Sequence, residues 1–207
     1  MADVAATERP RSANRALDVA LGVIGLVAAA PFVAAAALAM RATGDRGPLL
    51  YRARRVGEGR REIVVYKLRT MRVGAGGAGI THRGDDRVTR VGRILRRFKI
   101  DELPQFLNVV RGDMSVVGPR PEDARYVDWD DPLHAFVFSA RPGITGPSQI
   151  AFRHEERLLA VDDPELEYRA VVLPKKLRLD ADYLRRRTVR TDLGMIAATI
   201  RAIFDRG

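Results

Sequence analysis

The sequence predicts an α+β, mainly helical chain. An N-terminal, Pro-broken membrane helix (residues 1–45), re-entrant or a kinked single span, precedes a small cytosolic domain (46–207) with amphipathic interfacial helices and a short β element. Three observations predict this. Val19 to Met40 is a run of 22 residues without a charged side chain. Residues 87–99 place apolar side chains on one helical face and basic ones on the others. Glu62 to Met71 is rich in β-branched and aromatic residues with partial alternation, which reads as a strand.

The apolar run is long enough, at roughly 33 Å as a helix, to match the hydrocarbon core of a bilayer. It is too long for the apolar region of a secretory signal, about 7–15 residues, and basic sequence follows it directly. Pro31 lies just past its middle, removes one backbone donor and disfavours helical geometry at Ala30. Arginines flank both ends: Arg9, Arg11 and Arg15 before it, Arg41, Arg46, Arg52, Arg54 and Arg55 after it. Basic flanks favour the cytoplasmic side, so a chain that enters and returns on one face suits both ends. A kinked single span accommodates the proline as well, and on these residues alone both topologies stay open.

Beyond the membrane run, Thr43 to Pro48 is a turn-rich exit. Gly74-Ala-Gly-Gly-Ala-Gly79 formally matches G-x-G-x-x-G after a strand, but no helical pattern follows it and no Lys-Ser/Thr pair closes it, so it reads as a loop. Val88, Val91, Ile94, Leu95 and Phe98 form the apolar face of a basic helix. Its arginines suit lipid headgroups as well as a solvated surface. A helix from about Glu165 to Arg187, interrupted at Pro174, and a last one opened by Thr191 and Asp192 close the chain. In the last, Leu193, Ile196, Ala197, Ile200, Ile203 and Phe204 share a face.

Across the 207 residues, 36 basic and 26 acidic side chains give a net charge of +10, and only four of the cations are lysines. The balance points to anionic partners: nucleic acid, phosphorylated substrates or an anionic membrane. The absence of cysteine excludes disulfides, thiolate-bound zinc and a thiol nucleophile. His82, His134 and His154 lack metal-ligand spacing, which leaves a hard divalent ion on carboxylates and phosphate as the metal option. Asp101 and Glu102 stand out because the stretch before them is strongly basic. Locally they read as the acidic start of a helix with Pro104 in its first turn; the sharper reading is a carboxylate held among cations as nucleophile or metal ligand. In Gly118-Pro119-Arg120-Pro121, prolines fix the backbone on both sides of a guanidinium suited to phosphate.

These motifs, in their order, make the chain similar to the bacterial sugar transferases, the small monotopic phosphoglycosyl transferases. The resemblance rests on Asn14-Arg-Ala-Leu-Asp18, Tyr66-Lys-Leu-Arg-Thr-Met71, Ile100-Asp-Glu-Leu-Pro-Gln-Phe-Leu-Asn-Val109, Gly112-Asp-Met-Ser-Val-Val-Gly-Pro-Arg-Pro121 and Arg141-Pro-Gly-Ile-Thr-Gly146, and covers nearly the whole chain. It implies that Asp101 attacks the β-phosphate of a nucleotide diphospho-sugar and that polyprenyl phosphate then takes the phospho-sugar. It implies Glu102 as the second member of a dyad, Mg²⁺ held by Asp101 and Glu102, and a phosphate site lined by Lys67, Arg96, Arg120 and Arg153. It implies a re-entrant helix broken at Pro31 and a place on the cytoplasmic face of the bacterial inner membrane, among its phospholipids and without nucleic acid. Two departures stand out: Ala30 replaces the serine usual before the proline, and Gly146-Pro-Ser-Gln-Ile-Ala-Phe-Arg-His154 departs from the family's Gly-Trp-Ala-Gln-Val-Asn-Gly-Arg-Asn, which leaves the sugar open. The competing reading, a membrane-tethered nucleic-acid binder or scaffold without catalysis, rests on charge alone, because no nucleic-acid motif is present.

Overall fold

The computed structural model describes residues 14–75 and 85–204. Arg9, Arg11, most of the glycine loop and His82 lie outside the described residues. Helix α1 (Arg15–Ala42) is capped by the Asn14 side chain and runs uninterrupted through Pro31. The expected break is therefore absent, and the helix is one element. A proline costs its own amide bond and crowds the preceding turn, but the remaining ladder of a 28-residue helix can carry it.

Strands β1 (Leu50–Val56) and β2 (Glu62–Leu68) pair antiparallel, with Leu50 opposite Leu68 and Val56 opposite Glu62. Reading by alternation finds β2 but stops it three residues late. Met71 instead makes an isolated bridge to Val88. Its partner β1 escapes that reading because four of its seven residues are Arg or Tyr. Helix α2 (Arg90–Arg97) is shorter than the expected 87–99, since Arg87 and Val88 lie before the Thr89 cap. Leu95 is buried, whereas Ile94 and Phe98 face outward.

A 3-10 turn (Ile100–Glu102) leads to α3 (Gln105–Arg111), so the two acids sit on the turn and Pro104 immediately precedes the helix. Strand β3 (Ser115–Val117), helix α4 (Pro132–Phe138), strand β4 (Gly143–Thr145) and the short helices α5 (Pro147–Ala151), α6 (Glu155–Leu158) and α7 (Pro164–Glu167) follow. A π-helical turn (Tyr168–Val172) then runs into α8 (Leu173–Arg186), with Pro174 in the first turn of α8. The proline lacks the donor that an α-helix needs there, and the wider turn absorbs the mismatch. Helix α9 (Val189–Phe204) starts before the expected Thr191. Thr188 is the residue that bonds its first turn, accepting from the Thr191 amide at 3.2 Å and the Asp192 amide at 3.0 Å.

The core lies between the hairpin's inner face, α3, β3, α4 and α8, around Val65, Val109, Met114, Val117, Val137 and Leu184. Helix α1 docks on this domain along a stripe of Asp18, Gly22, Ala29, Ala36 and Met40. Arg15 donates to the carbonyls of Val109 and Val110 at 2.6 and 2.7 Å, and so satisfies the end of α3. Asp18 accepts from Ser115 Oγ at 2.8 Å and from the Val116 amide at 2.9 Å. Near the other end, Ala36 joins a second small core with Leu68 and Leu95. Ile24, Val27, Phe32 and Leu38 remain exposed on the opposite side.

Strands β3 and β4 are parallel, and they approach at glycines. A Cβ on Gly143 would stand 2.1 Å from the Gly118 nitrogen. Gly143→Ala is therefore expected to lower the unfolding free energy by about 1–3 kcal/mol. Gly194, in α9, has no atom within 4 Å of such a Cβ. Gly194→Ala is expected to raise stability by about 0.5–1 kcal/mol. Chemical denaturation of the two variants in detergent checks both signs.

Candidate active site

Three separate stretches converge on the acid pair. Asn108, fully buried, accepts the Tyr66 amide at 3.1 Å and donates to the Val64 carbonyl at 2.7 Å, which ties β2 to α3. Lys67 thereby lies over the turn that carries the acids, and its Nζ donates to Glu102 Oε1 at 3.1 Å. The second donor to the same oxygen is Arg120, whose guanidinium is 3.5 Å away. Arg120 is presented by the turn after β3, where the Gly118 amide donates to the Thr145 carbonyl and the Gly143 amide to the Pro119 carbonyl, both at 2.8 Å.

Two further residues of Tyr66–Met71 hold neighbouring elements in place. Arg69 pairs with Asp45 at 2.6 Å and donates to the Pro48 carbonyl at 2.7 Å, which fixes the exit from α1. Thr70 Oγ1 accepts from Arg96 Nε at 2.8 Å, so α2 is keyed to β2. A Cβ on Gly92 would meet the Thr70 carbonyl oxygen at 2.1 Å, and only glycine permits that approach.

The two acids differ in electrostatics. Burial works against ionisation of Glu102, but the charges of Lys67, Arg120 and Lys99 and the bond from Lys67 prevail and hold it well below the usual carboxylate range. Asp101 moves the other way: burial, and then the neighbouring Glu102 charge, push it up, while Lys67, Lys99 and Arg96 oppose this. Burial pushes the Lys67 ammonium below an ordinary lysine, with Glu102 opposing the shift. Asp101 Oδ1 is buried and has no hydrogen-bond partner. Such an orphan acceptor costs about 1–3 kcal/mol unless a ligand meets it.

Behind Arg120 lies a second charged layer. Glu155 and Glu122 support the Arg120 charge against burial. Lys176 donates to Glu155 at 2.7 Å and to the Tyr168 hydroxyl at 3.3 Å, and that hydroxyl donates to Glu122. Asp180 accepts from the amide and hydroxyl of Ser148 at 3.2 and 2.8 Å, and burial pushes its carboxyl up to about 7 against these bonds.

Of the residues singled out in the sequence, the structure gathers Glu102, Lys67 and Arg120 by contact and brings Asp101 and Arg96 to them by charge. Arg153, on the turn after α5, donates from Nε to His154 Nε2 at 3.1 Å. Sequence reading did not assign Asn108, Lys99, Lys176 or Tyr168 to the site. The first two lie inside or beside the acidic motif and were within reach; the others act through space from α8 and the π turn.

Among the described residues no three His, Asp or Glu side chains form a metal cage. A hard divalent ion commonly uses one or two carboxylates and completes its shell with water and substrate phosphate. The orphan Asp101 Oδ1 beside Glu102 fits that partial donor set.

The profile of the bacterial sugar transferases matches residues 9–206. The chain belongs to this family. It is 39% identical over 192 residues to the UDP-glucose:undecaprenyl-phosphate glucose-1-phosphate transferase of Caulobacter vibrioides, covering 90% of this chain and 68% of that protein. It is 34% identical to the UDP-N-acetylgalactosamine-undecaprenyl-phosphate N-acetylgalactosaminephosphotransferase of Aeromonas hydrophila, covering 92% and 43%. It is 39% identical to the undecaprenyl-phosphate glucose phosphotransferase of Komagataeibacter xylinus, covering 93% and 36%. The chain thus spans well under half the length of the last two relatives.

The Lys67–Glu102 side chains are 21% and 12% exposed, against 80% and 59% for the surface pair Arg54–Glu62. Lys67→Met is expected to destabilise this sugar transferase by about 1–3 kcal/mol, because it leaves the largely shielded Glu102 carboxylate with Arg120 alone. Arg54→Ala is expected to cost under about 1 kcal/mol. Denaturant midpoints check the contrast, and a carboxyl-resolved titration should show Glu102 rising in the Lys67 variant.

Proposed function

We propose that this chain transfers a sugar-1-phosphate from a nucleotide diphospho-sugar, a UDP-sugar, to polyprenyl phosphate on the cytoplasmic face of the bacterial inner membrane. This is the first membrane step in making an exopolysaccharide, capsule, O-antigen or similar glycan. The observation that carries the mechanism is the asymmetry of the acid pair. Glu102 is tied to two cations, while Asp101 is the more basic carboxylate and keeps an oxygen without a partner.

Asp101 is the nucleophile. Its carboxylate oxygen attacks the β-phosphorus, the bond from that phosphorus to the bridging oxygen breaks, and nucleoside monophosphate leaves. A phosphate oxygen of polyprenyl phosphate then attacks the same phosphorus, and the bond to Asp101 breaks to free the enzyme. Lys67, Arg96, Arg120 and Arg153 neutralise the diphosphate so that an anionic nucleophile can approach it. Glu102 is held ionised, which makes it a poor proton carrier; its work is to fix Lys67 and Arg120. Asp101 and Glu102 would hold Mg²⁺, which supplies further neutralisation of phosphate charge when bound.

The docking of α1 supports a one-sided mode of membrane association. Arg15 and Asp18 near its start and Ala36 near its end pack on the same domain. A spanning helix would carry one of its ends to the opposite face, away from the domain that both ends touch here. Contacts to one domain at both ends favour a helix that lies on a single face of the membrane, with its exposed apolar side against the lipid.

Nucleoside monophosphate release from UDP-sugars, with polyprenyl phosphate and Mg²⁺, tests the chemistry. Release is expected from the wild type and at least about 10³-fold less from Asp101→Asn; equal release would refute the nucleophile. Because Asp101 must be ionised and is shifted upward, kcat/KM is expected to fall with decreasing pH at a limb above an ordinary aspartate's. Arg96→Gln, which removes a cation opposing that shift, should move the limb higher. The chain has no cysteine, so single cysteines placed by Ala16→Cys and Arg46→Cys report topology. Both are expected to react with an impermeant maleimide from the same side of oriented vesicles.

A further inference from the structure

Lys99 is one of two non-glycine residues with positive φ among those described, at φ 56° and ψ 20°. Its amide donates to the Arg96 carbonyl at 3.1 Å, and its carbonyl accepts the Glu102 amide at 3.2 Å. This left-handed residue ends α2 and swings the chain into the turn that carries the acids. The backbone alone does not call for lysine here. Glycine or asparagine adopts the conformation at lower cost, and lysine bears a penalty of roughly 1 kcal/mol. What lysine adds is its ammonium.

That ammonium differs from its neighbours. Lys67 and Arg120 are bonded to Glu102, and Arg96 to Thr70. Lys99 is exposed, and among the described residues no hydrogen bond or ion pair engages its Nζ, although its charge acts on both Asp101 and Glu102. It also sits at the end of α2, whose Ile94 and Phe98 are exposed at 58% and 49%. An uncommitted cation thus lies between an outward apolar helix face and the acid pair. An acceptor with its tail in lipid and its phosphate bound for Asp101 has to cross that boundary.

We propose that Lys99 binds the phosphate of the isoprenoid acceptor and guides it from the α2 face to the acid pair; this rests on the transferase reading above. The ligand chemistry is a lipid phosphate monoester, and the competing source of phosphate is the diphosphate of the donor nucleotide. Lys99 is a positioning residue for the second half of the reaction, separate from the cations committed to Glu102.

The test uses the full chain in detergent with Lys99→Asn and Lys99→Gly, which keep the left-handed turn without the charge, and Lys99→Arg, which keeps the charge. Calorimetric binding of farnesyl phosphate and of UDP is measured for each. Asn and Gly are expected to weaken farnesyl phosphate about tenfold, to leave UDP unchanged and to raise the acceptor KM in proportion, while Arg retains the affinity. Unchanged farnesyl phosphate binding overturns the proposal. An equal or greater loss for UDP also overturns it and moves Lys99 to the donor's subsite. Loss in Asn and Gly with retention in Arg excludes a backbone effect. Failure of the transferase reading looks different: wild-type protein that binds both probes but releases no monophosphate.

Discussion

One carboxylate organises the site. Glu102 is largely shielded from solvent, and its Oε1 takes a bond from β2 through Lys67 and another from the turn after β3 through Arg120. A buried carboxylate without such partners would neutralise itself. The two cations would in turn repel one another without it. The three stretches are therefore interdependent: the hairpin, the acidic turn and the proline-flanked arginine hold their places because each satisfies a charge on another. Asp101 gains its distinct character from the same arrangement. Its neighbour has already taken the nearest donors, so it stays desolvated, more basic and open to a ligand.

How far the sequence could be read depended on whether a residue acts locally or at a distance. The long apolar helix, β2, the basic helix and the Asp101–Glu102 pair declare themselves through runs and spacing. Strand β1 did not, because its arginines hide the alternation and only the register with β2 defines it. The limits of α2 differ from the periodicity for a similar reason. Val88 fits the helical face, but its bridge to Met71 and the Thr89 cap decide otherwise. Pro31 was read by its local penalty, whereas a long helix packed against the domain carries the defect. Lys176, Tyr168 and Glu122 were beyond local reading, since they meet only after the π turn and α8 fold back.

The glycines divide the same way. Gly92, Gly118 and Gly143 look like ordinary loop or helix residues in the sequence. Each sits where another backbone passes too close for a Cβ. These contacts set the distance between α2 and Thr70, and between the Arg120 turn and β4. Side-chain chemistry at the site is thus referenced to backbone separations with little slack, the rigidity that a preorganised charge cluster needs.

The anchoring of α1 also has a consequence in time. Asp18 leaves the ribosome before its partners Ser115 and Val116, which come almost a hundred residues later. Ser115 in turn accepts a bond from Arg187, which is braced by Asp192. Until those residues exist, a carboxylate near the start of an apolar helix has only water to satisfy it, and it keeps that end of the helix at the aqueous boundary. The helix can settle shallowly in lipid while the ribosome is still working, but its seat on the domain is completed only when Arg187 and α9 arrive. Contact of α1 with the membrane can thus precede the locking of that contact by much of the domain's synthesis.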